Sequence, residues 1–390
     1  MSKFLCKTFL FRCHIVRTSP PTSILGFFRN PDIFHLRLFS SSSNQQSFTV
    51  SYLINSLGFS PETALSASKY VNFKTPEKPD KLINLFKKYG FTQIQLSNLV
   101  RRCPSIFSYD AEKNILPKLE FLQAKGMSGP EMAKRLSVFP TLLRCSLSNL
   151  IIPSYDFYRD LFQSDEKACH TVKRFPHILI CLKKYVAPNV AILREHGVAK
   201  SDIAKMMHLW PKSFVTSPDS FREVVEKVVE MGFDASTLKF VVAVNIFLSM
   251  RKSTWESKVD AYKKWGWSEE EVSKAFQSYP WCMMVSEDKL MASMDIFINQ
   301  MGWRPFHLAK FPTIFTVSLN KRVVPRCSVF QVLLSKGLVK KDANLNSLLM
   351  SSEKNFLQRF VAPYKENAPE LLKLYKEKYD LSNAAKIYEV

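Results

Sequence analysis

The sequence predicts an all-α fold, an α-solenoid of about eight or nine helical repeats of roughly 35 residues each. Three observations carry this. Gly58, Gly90, Gly126, Gly197, Gly232, Gly266, Gly302 and Gly337 are spaced 32, 36, 71, 35, 34, 36 and 35 apart, with Phe162 in the slot that the double interval leaves vacant. Pro104, Pro140, Pro176, Pro211, Pro280 and Pro312 form a second series at 36, 36, 35, 69 and 32, with Asn245 in its missing slot. Between these markers apolar residues recur at helical spacing, as Ile115, Leu119 and Leu122 do before Gly126.

Each unit follows from local chemistry. Glycine supplies the left-handed residue that ends a first helix. A cap two residues later starts a second helix, at Ser60, Thr92 (with Gln95), Ser128 (with Glu131), Asp234 and Ser268 (with Glu271). The second helix carries a stripe such as Leu96, Leu99, Val100 and Cys103, and must stop before proline, which disfavours the α conformation of its predecessor. Proline then opens a short third turn, where its missing N–H costs nothing, followed by apolar pairs such as Ile106-Phe107, Leu142-Leu143, Ile178-Leu179 and Ile314-Phe315. No such unit buries its stripe alone, so neighbours must stack.

The chain has 390 residues, 46% of them hydrophobic, enough for a large core. Its 55 Lys and Arg against 34 Asp and Glu leave +21, a charge that calls for an acidic partner, nucleic acid first and an anionic membrane surface second. No stretch reaches the roughly 18 apolar residues of a membrane span; Phe240 to Met250 is short and interrupted by Asn245. The cysteines, Cys6, Cys13, Cys103, Cys145, Cys169, Cys181, Cys282 and Cys327, are scattered singly and read as reduced thiols in helix cores.

Residues 1–47 hold Lys3, Lys7, Arg12, Arg17, Arg29 and Arg37 against the single acid Asp32, the composition of an organelle transit peptide. Arg37-Leu38-Phe39-Ser40 resembles a mitochondrial processing site cut after Phe39. The expected organisation is a transit peptide over 1–39, a flexible linker over 40–47, a repeat domain over 48–365 and a C-terminal tail over 366–390. Mitochondria lead, with chloroplasts as the alternative. Removing the segment's +5 (6 − 1) still leaves +16.

Leu119 to Gly126 with Phe139-Pro140-Thr141-Leu142-Leu143 resembles the repeat of the mitochondrial transcription termination factor (mTERF) family, and Ser352 to Val361 is similar to that family's C-terminal ending. The resemblance covers roughly residues 48–365. It implies an α-solenoid whose concave basic groove holds double-stranded DNA, with plant members acting in organellar transcription and in RNA processing, including intron splicing. Three units depart from the pattern: the Gly232 unit has Asn245 for proline, only ten residues separate Gly302 from Pro312, and no proline lies near Asn72. Base-contacting positions do not carry over, because the shared motif is structural. Pentatricopeptide and tetratricopeptide repeats share the period but do not place proline at the end of the second helix.

Cations recur at two phases. Arg101-Arg102, Lys173-Arg174 and Lys310 come just before the proline; Arg144, Lys183-Lys184, Arg251-Lys252 and Lys321-Arg322 follow it, where one unit hands over to the next. As a set they read as a ladder of phosphate contacts along one edge, although any one of them is equally well a solvated helix end favoured by the helix dipole. Trp210, Trp255, Trp265, Trp267 and Trp303 could stack on bases, but aromatic residues at helical spacing are more often core. Cys169-His170 with His177 and Cys181 fits no usual zinc spacing. Phosphate-binding loops, dinucleotide fingerprints and the H-E-x-x-H motif are absent. The expectation is a non-enzymatic regulator of organellar transcription, including termination, that binds double-stranded DNA as a monomer and needs no cofactor. An RNA-binding splicing or processing factor is the alternative, and a protein-docking solenoid a further one.

Overall fold

The computed structural model describes residues 43–340 and 344–384, and among them 21 α-helices alternate with short 3-10 and π turns without a strand. The transit-peptide reading lies outside the described residues. Two packing units divide the chain between Phe221 and Arg222. Each is an all-α stack of the predicted repeats.

All eight serial glycines have φ between +64° and +86°, the region that L side chains avoid. The vacant slot is filled one residue later than expected. Phe162 closes its helix, and Gln163 takes φ +51°, its side chain donating to Asp160 O at 2.7 Å. Another glycine, Gly129, has a different reason: a Cβ there would meet the carbonyl oxygen of Tyr89 at 2.7 Å, so the repeats touch backbone to backbone.

Thr92, Ser128 and Ser268 form the predicted capping boxes, and Ser60 accepts from Thr63 N–H. Asp234 does not start its helix. It accepts from Ser236 N–H at 2.9 Å in a local turn, and the helix begins only at Leu238. The residues before proline sit at nearly one conformation, φ −145° at Cys103, −142° at Phe175, −133° at Trp210, −150° at Tyr279 and −126° at Phe311. Where Asn245 replaces proline the break disappears. Leu238–Ser249 runs through as one helix, because a residue with an N–H and no ring lets the ladder continue.

A second proline series shapes the first helices. Pro117, Pro153, Pro188 and Pro325 each lie just inside an α-helix that a π turn precedes: Ala111–Ile115, Leu147–Ile151, Leu182–Val186 and Leu319–Val323. Proline removes one donor and crowds the carbonyl one turn back, and the chain answers by widening that turn. Ile115, Ile151 and Val323 accordingly donate five residues back, to Asp110, Ser146 and Ser318.

A polar side chain on five of the first helices then clasps the end of its own unit's third turn. Lys118 Nζ donates to Leu143 O at 2.7 Å, Asn189 Nδ2 to Phe214 O at 3.0 Å, Lys258 Nζ to Val285 O, and Lys289 Nζ to Thr316 O at 3.1 Å. Arg326 Nη1 donates to Leu348 O, Leu349 O and Ser351 O at 3.0, 3.1 and 2.9 Å. Where the slot holds Ser154, Tyr158 one turn on donates to Ile178 O at 2.8 Å. A helix end leaves carbonyls without partners, and a cationic donor satisfying one contributes about 1.5–3 kcal/mol. Burial holds the ammonium groups of Lys118, Lys258 and Lys289 below the usual lysine range.

Leu371–Ala384 is a helix whose Leu371 and Tyr375 are buried, and it packs on Val324–Ser335. At the other end, Ser43–Leu57 begins inside the stretch expected as a linker.

Candidate nucleic-acid interface

Short turns make consecutive helices antiparallel, so every unit has two ends: a glycine edge joining first to second helix, and a proline edge handing over to the next unit. Charges sort between them. Ion pairs flank the glycine turns, with Lys125–Asp165 at 3.3 Å, Lys200–Asp160 at 3.1 Å, Lys263–Glu269 at 2.9 Å and Lys336–Glu370 at 2.6 Å. The second helices Gln93–Arg102, Gly129–Leu136 and Asp165–Arg174 end instead in cations, which the negative end of the helix dipole favours, and the following turns add more.

At the proline edge Arg102 is exposed at the last position of Gln93–Arg102, and Arg144 at that of Thr141–Arg144. A hydrogen bond with Tyr109 holds the Arg144 guanidinium above its usual range. Lys183 and Lys184 are exposed on the π turn, with Lys184 Nζ 5.0 Å from the Tyr185 ring centre. In the second packing unit Arg251 caps Lys252–Lys264 through its backbone, Lys252 approaches Glu256 at 3.6 Å, and Lys310 lies over Phe306 at 5.5 Å. Lys321 and Arg322 are half-buried on their π turn, and Arg322 Nη1 reaches Met350 O at 3.4 Å.

Two of the twelve predicted residues leave this edge. Arg101 sits over the Phe59 ring at 5.8 Å, and Lys173 Nζ comes within 3.0 Å of the place a Cβ on Gly126 would take. His208 packs on Phe162 at 6.0 Å and Gln277 Nε2 donates to Met231 O at 2.8 Å in the same way. All four lie three residues before a proline and reach back to the preceding unit's glycine turn. The residue after each is rotated by about 100° on the helix and faces elsewhere. Arg174, one such residue, donates through Nη2 to the carbonyls of His208 and Leu209, the latter at 2.9 Å, and so caps the next unit's second helix.

Sequence reading missed Lys113, which is exposed. The signal was available: Lys113, Lys184 and Lys321 each stand four residues before the second-series prolines Pro117, Pro188 and Pro325.

The tryptophans are mostly core. Trp255, Trp267 and Trp303 are 7%, 3% and 5% exposed, and Trp265 Nε1 donates to Met291 Sδ at 3.2 Å. Nor does the cysteine and histidine cluster assemble. Cys169 Sγ lies 3.0 Å from Tyr155 Oη, His177 packs between Phe139 and Phe175, and Cys181 is buried with its thiol pushed up to about 12. Among the described residues no three metal-ligating side chains converge, and no helix is long and apolar enough to cross a membrane.

Antiparallel helix pairs ended by left-handed glycines, broken by prolines and basic along the proline edge define an all-α helical-repeat protein. The mTERF family profile matches residues 83–245 and 180–357, well over half of the chain, and the chain belongs to that family. It is 22% identical to an Arabidopsis thaliana protein named transcription termination factor MTERF15, mitochondrial, over 75% of this chain and 57% of that one. To Arabidopsis MTERF8, chloroplastic, it is 21% identical over 81% of this chain and 69% of the relative, and to MTEF18, mitochondrial, 20% over 70% and 46%. The chain thus spans little more than half the length of the first of these relatives.

Proposed function

We propose that this chain binds double-stranded DNA in mitochondria and regulates transcription there, including termination. The observation that carries the reading is the recurrence of exposed cations at three successive proline edges of the first packing unit, Arg102 and Lys113, then Arg144, then Lys183 and Lys184, while the glycine edges are ion-paired. Cations at every one of these edges suit a polymer charged along its whole length, and they supply affinity without choosing bases. The relatives' names, transcription termination factors all three, support the same reading.

Replacing Lys183 and Lys184 together by alanine is expected to weaken binding to all duplex sequences alike and to lower the salt slope by about one to two units. Replacing Lys87 and Lys88, or Lys263 and Lys264, should change little, because these pairs end first helices at the glycine edge. Fluorescence anisotropy on a duplex of roughly 30 base pairs, about 100 Å of axis, reads both. Equal losses from the two kinds of pair would remove the ladder. A clear preference for matched single-stranded RNA would move the function to RNA processing.

Mitochondrial import rests on the basic, acid-poor start and on Arg37 three residues before Ser40. N-terminal sequencing of the protein from isolated mitochondria should find Ser40 first; an intact Met1 would end that assignment.

A further inference from the structure

In the first packing unit, two histidines from the second helices of neighbouring repeats face each other. His170 on Asp165–Arg174 and His208 on Lys200–Leu209 have ring centres 5.0 Å apart. Each is held in a prepared setting. Thr171 Oγ1 lies 3.2 Å from His208 Nδ1, which leaves Nε2 as the outward nitrogen, and Phe162 packs edge-on against the same ring. Arg174 is anchored through Nη2 to the carbonyls of His208 and Leu209, which leaves its other N–H groups to donate elsewhere. Lys167, His170 and Arg174 stand at i, i+3 and i+7 of one helix, hence on one face.

The surroundings decide what such a pair can bind. Two imidazoles suggest a divalent metal, but the charges acting on His208 are His170, Arg174 and Lys167, all basic. The one lysine of its own helix near it, Lys205, is taken up by Asp202 at 2.8 Å. Two permanent cations beside the pair oppose a metal ion and favour an anion. An oxyanion there would meet a guanidinium already fixed by two carbonyls, an ammonium and two imidazoles, with little ordering left to do.

We propose that Lys167, His170, Arg174 and His208 form a proton-gated phosphate station, which takes a phosphodiester of bound nucleic acid and takes up a proton as it does so. This rests on the nucleic-acid reading above and adds to it a site on the second-helix face, with a pH dependence that the lysine ladder lacks. Burial first, and then the neighbouring cations, hold the His208 imidazole below its usual range. A phosphate offsets those cations and raises the value again. Binding therefore tightens as pH falls through the interval between the free and the bound imidazole, and the gain is gone above both.

The test compares wild-type full-length chain with His170→Gln/His208→Gln on duplex DNA at constant salt. From about pH 7.5 to about pH 5.5 the affinity of the wild type should rise roughly tenfold more than that of the doubly substituted chain, the effect of one unit of imidazole shift. Identical pH dependence in both overturns the station. A second readout does not need DNA: in the wild type, inorganic phosphate should raise the titration midpoint of the His208 C2 proton resonance, assigned by its loss in His208→Gln. An unmoved midpoint at tens of millimolar phosphate likewise overturns the proposal. A chain that never binds duplex yet shows the phosphate shift keeps the station and removes the DNA reading.

Discussion

Affinity for duplex DNA is expected to fall by about 10³–10⁵ between 50 and 200 mM salt, the consequence of releasing the counterions of roughly 6–10 phosphates. The structure points to the middle of that interval. Arg102, Lys113, Arg144, Lys183 and Lys184 are exposed at proline edges of the first packing unit, and Arg251 and Lys310 at those of the second. Seven contacts at about 0.9 each give a slope of about −6, and a fourfold rise in salt then costs about four decades. Arg101 and Lys173, turned toward glycine turns, would have raised the prediction had they lain on that edge. Equilibrium anisotropy at four or five salt concentrations measures the slope directly. A flat response would mean that a net charge of +21 is not what holds the nucleic acid.

What could be read from sequence was the backbone punctuation, because glycine and proline act through their own backbone and leave a mark in one letter. Every serial glycine proved left-handed, and the capping boxes at Thr92, Ser128 and Ser268 formed as spaced. Where punctuation lapses, prediction slipped by the amount the missing residue controls. The glycine slot moved by one, to Gln163, and the proline slot at Asn245 vanished into a continuous helix. Charge phase was legible too, but not side-chain direction. Arg101 and Arg102 are adjacent letters, and only the stacking of the preceding repeat separates their surroundings. The clasp residues were invisible for the opposite reason. Lys118, Lys258 and Arg326 look like surface cations until the third turn of their own unit folds back and places its last carbonyls over them. Polar letters on a first helix carry no sign of that until the unit is closed.

Arg326 is where that clasp should matter most. It is 1% exposed, donates from Nη1 to three carbonyls, and lies over the Phe356 ring at 4.8 Å. Burial holds its guanidinium below the usual arginine range, so the cation is tolerated only because these acceptors surround it. Arg326→Ala removes the donor from Leu348, Leu349 and Ser351 and empties one of the largest fully buried side-chain volumes among the described residues. Each buried acceptor left without a partner costs about 1–3 kcal/mol, and a large-to-small change of this kind adds a cavity of its own, so a loss of at least about 3 kcal/mol is expected. Arg326→Lys is the informative partner. Lys118 and Lys258 perform the same task at the same place in other units, so a lysine should retain most of the stability, losing about 1–2 kcal/mol for the bonds one ammonium cannot duplicate. Urea unfolding followed by tryptophan fluorescence measures both, and Trp303, packed on Phe330 at 6.3 Å, reports on this region. Hydrogen exchange should locate the damage. In a stacked repeat each unit is stabilised by its neighbours, so protection in Arg326→Ala should be lost first in Asn346–Met350 and Leu371–Ala384 and last in the first packing unit. Alanine and lysine variants of equal stability would show that the three carbonyls find other partners, and that the clasp is packing rather than hydrogen bonding.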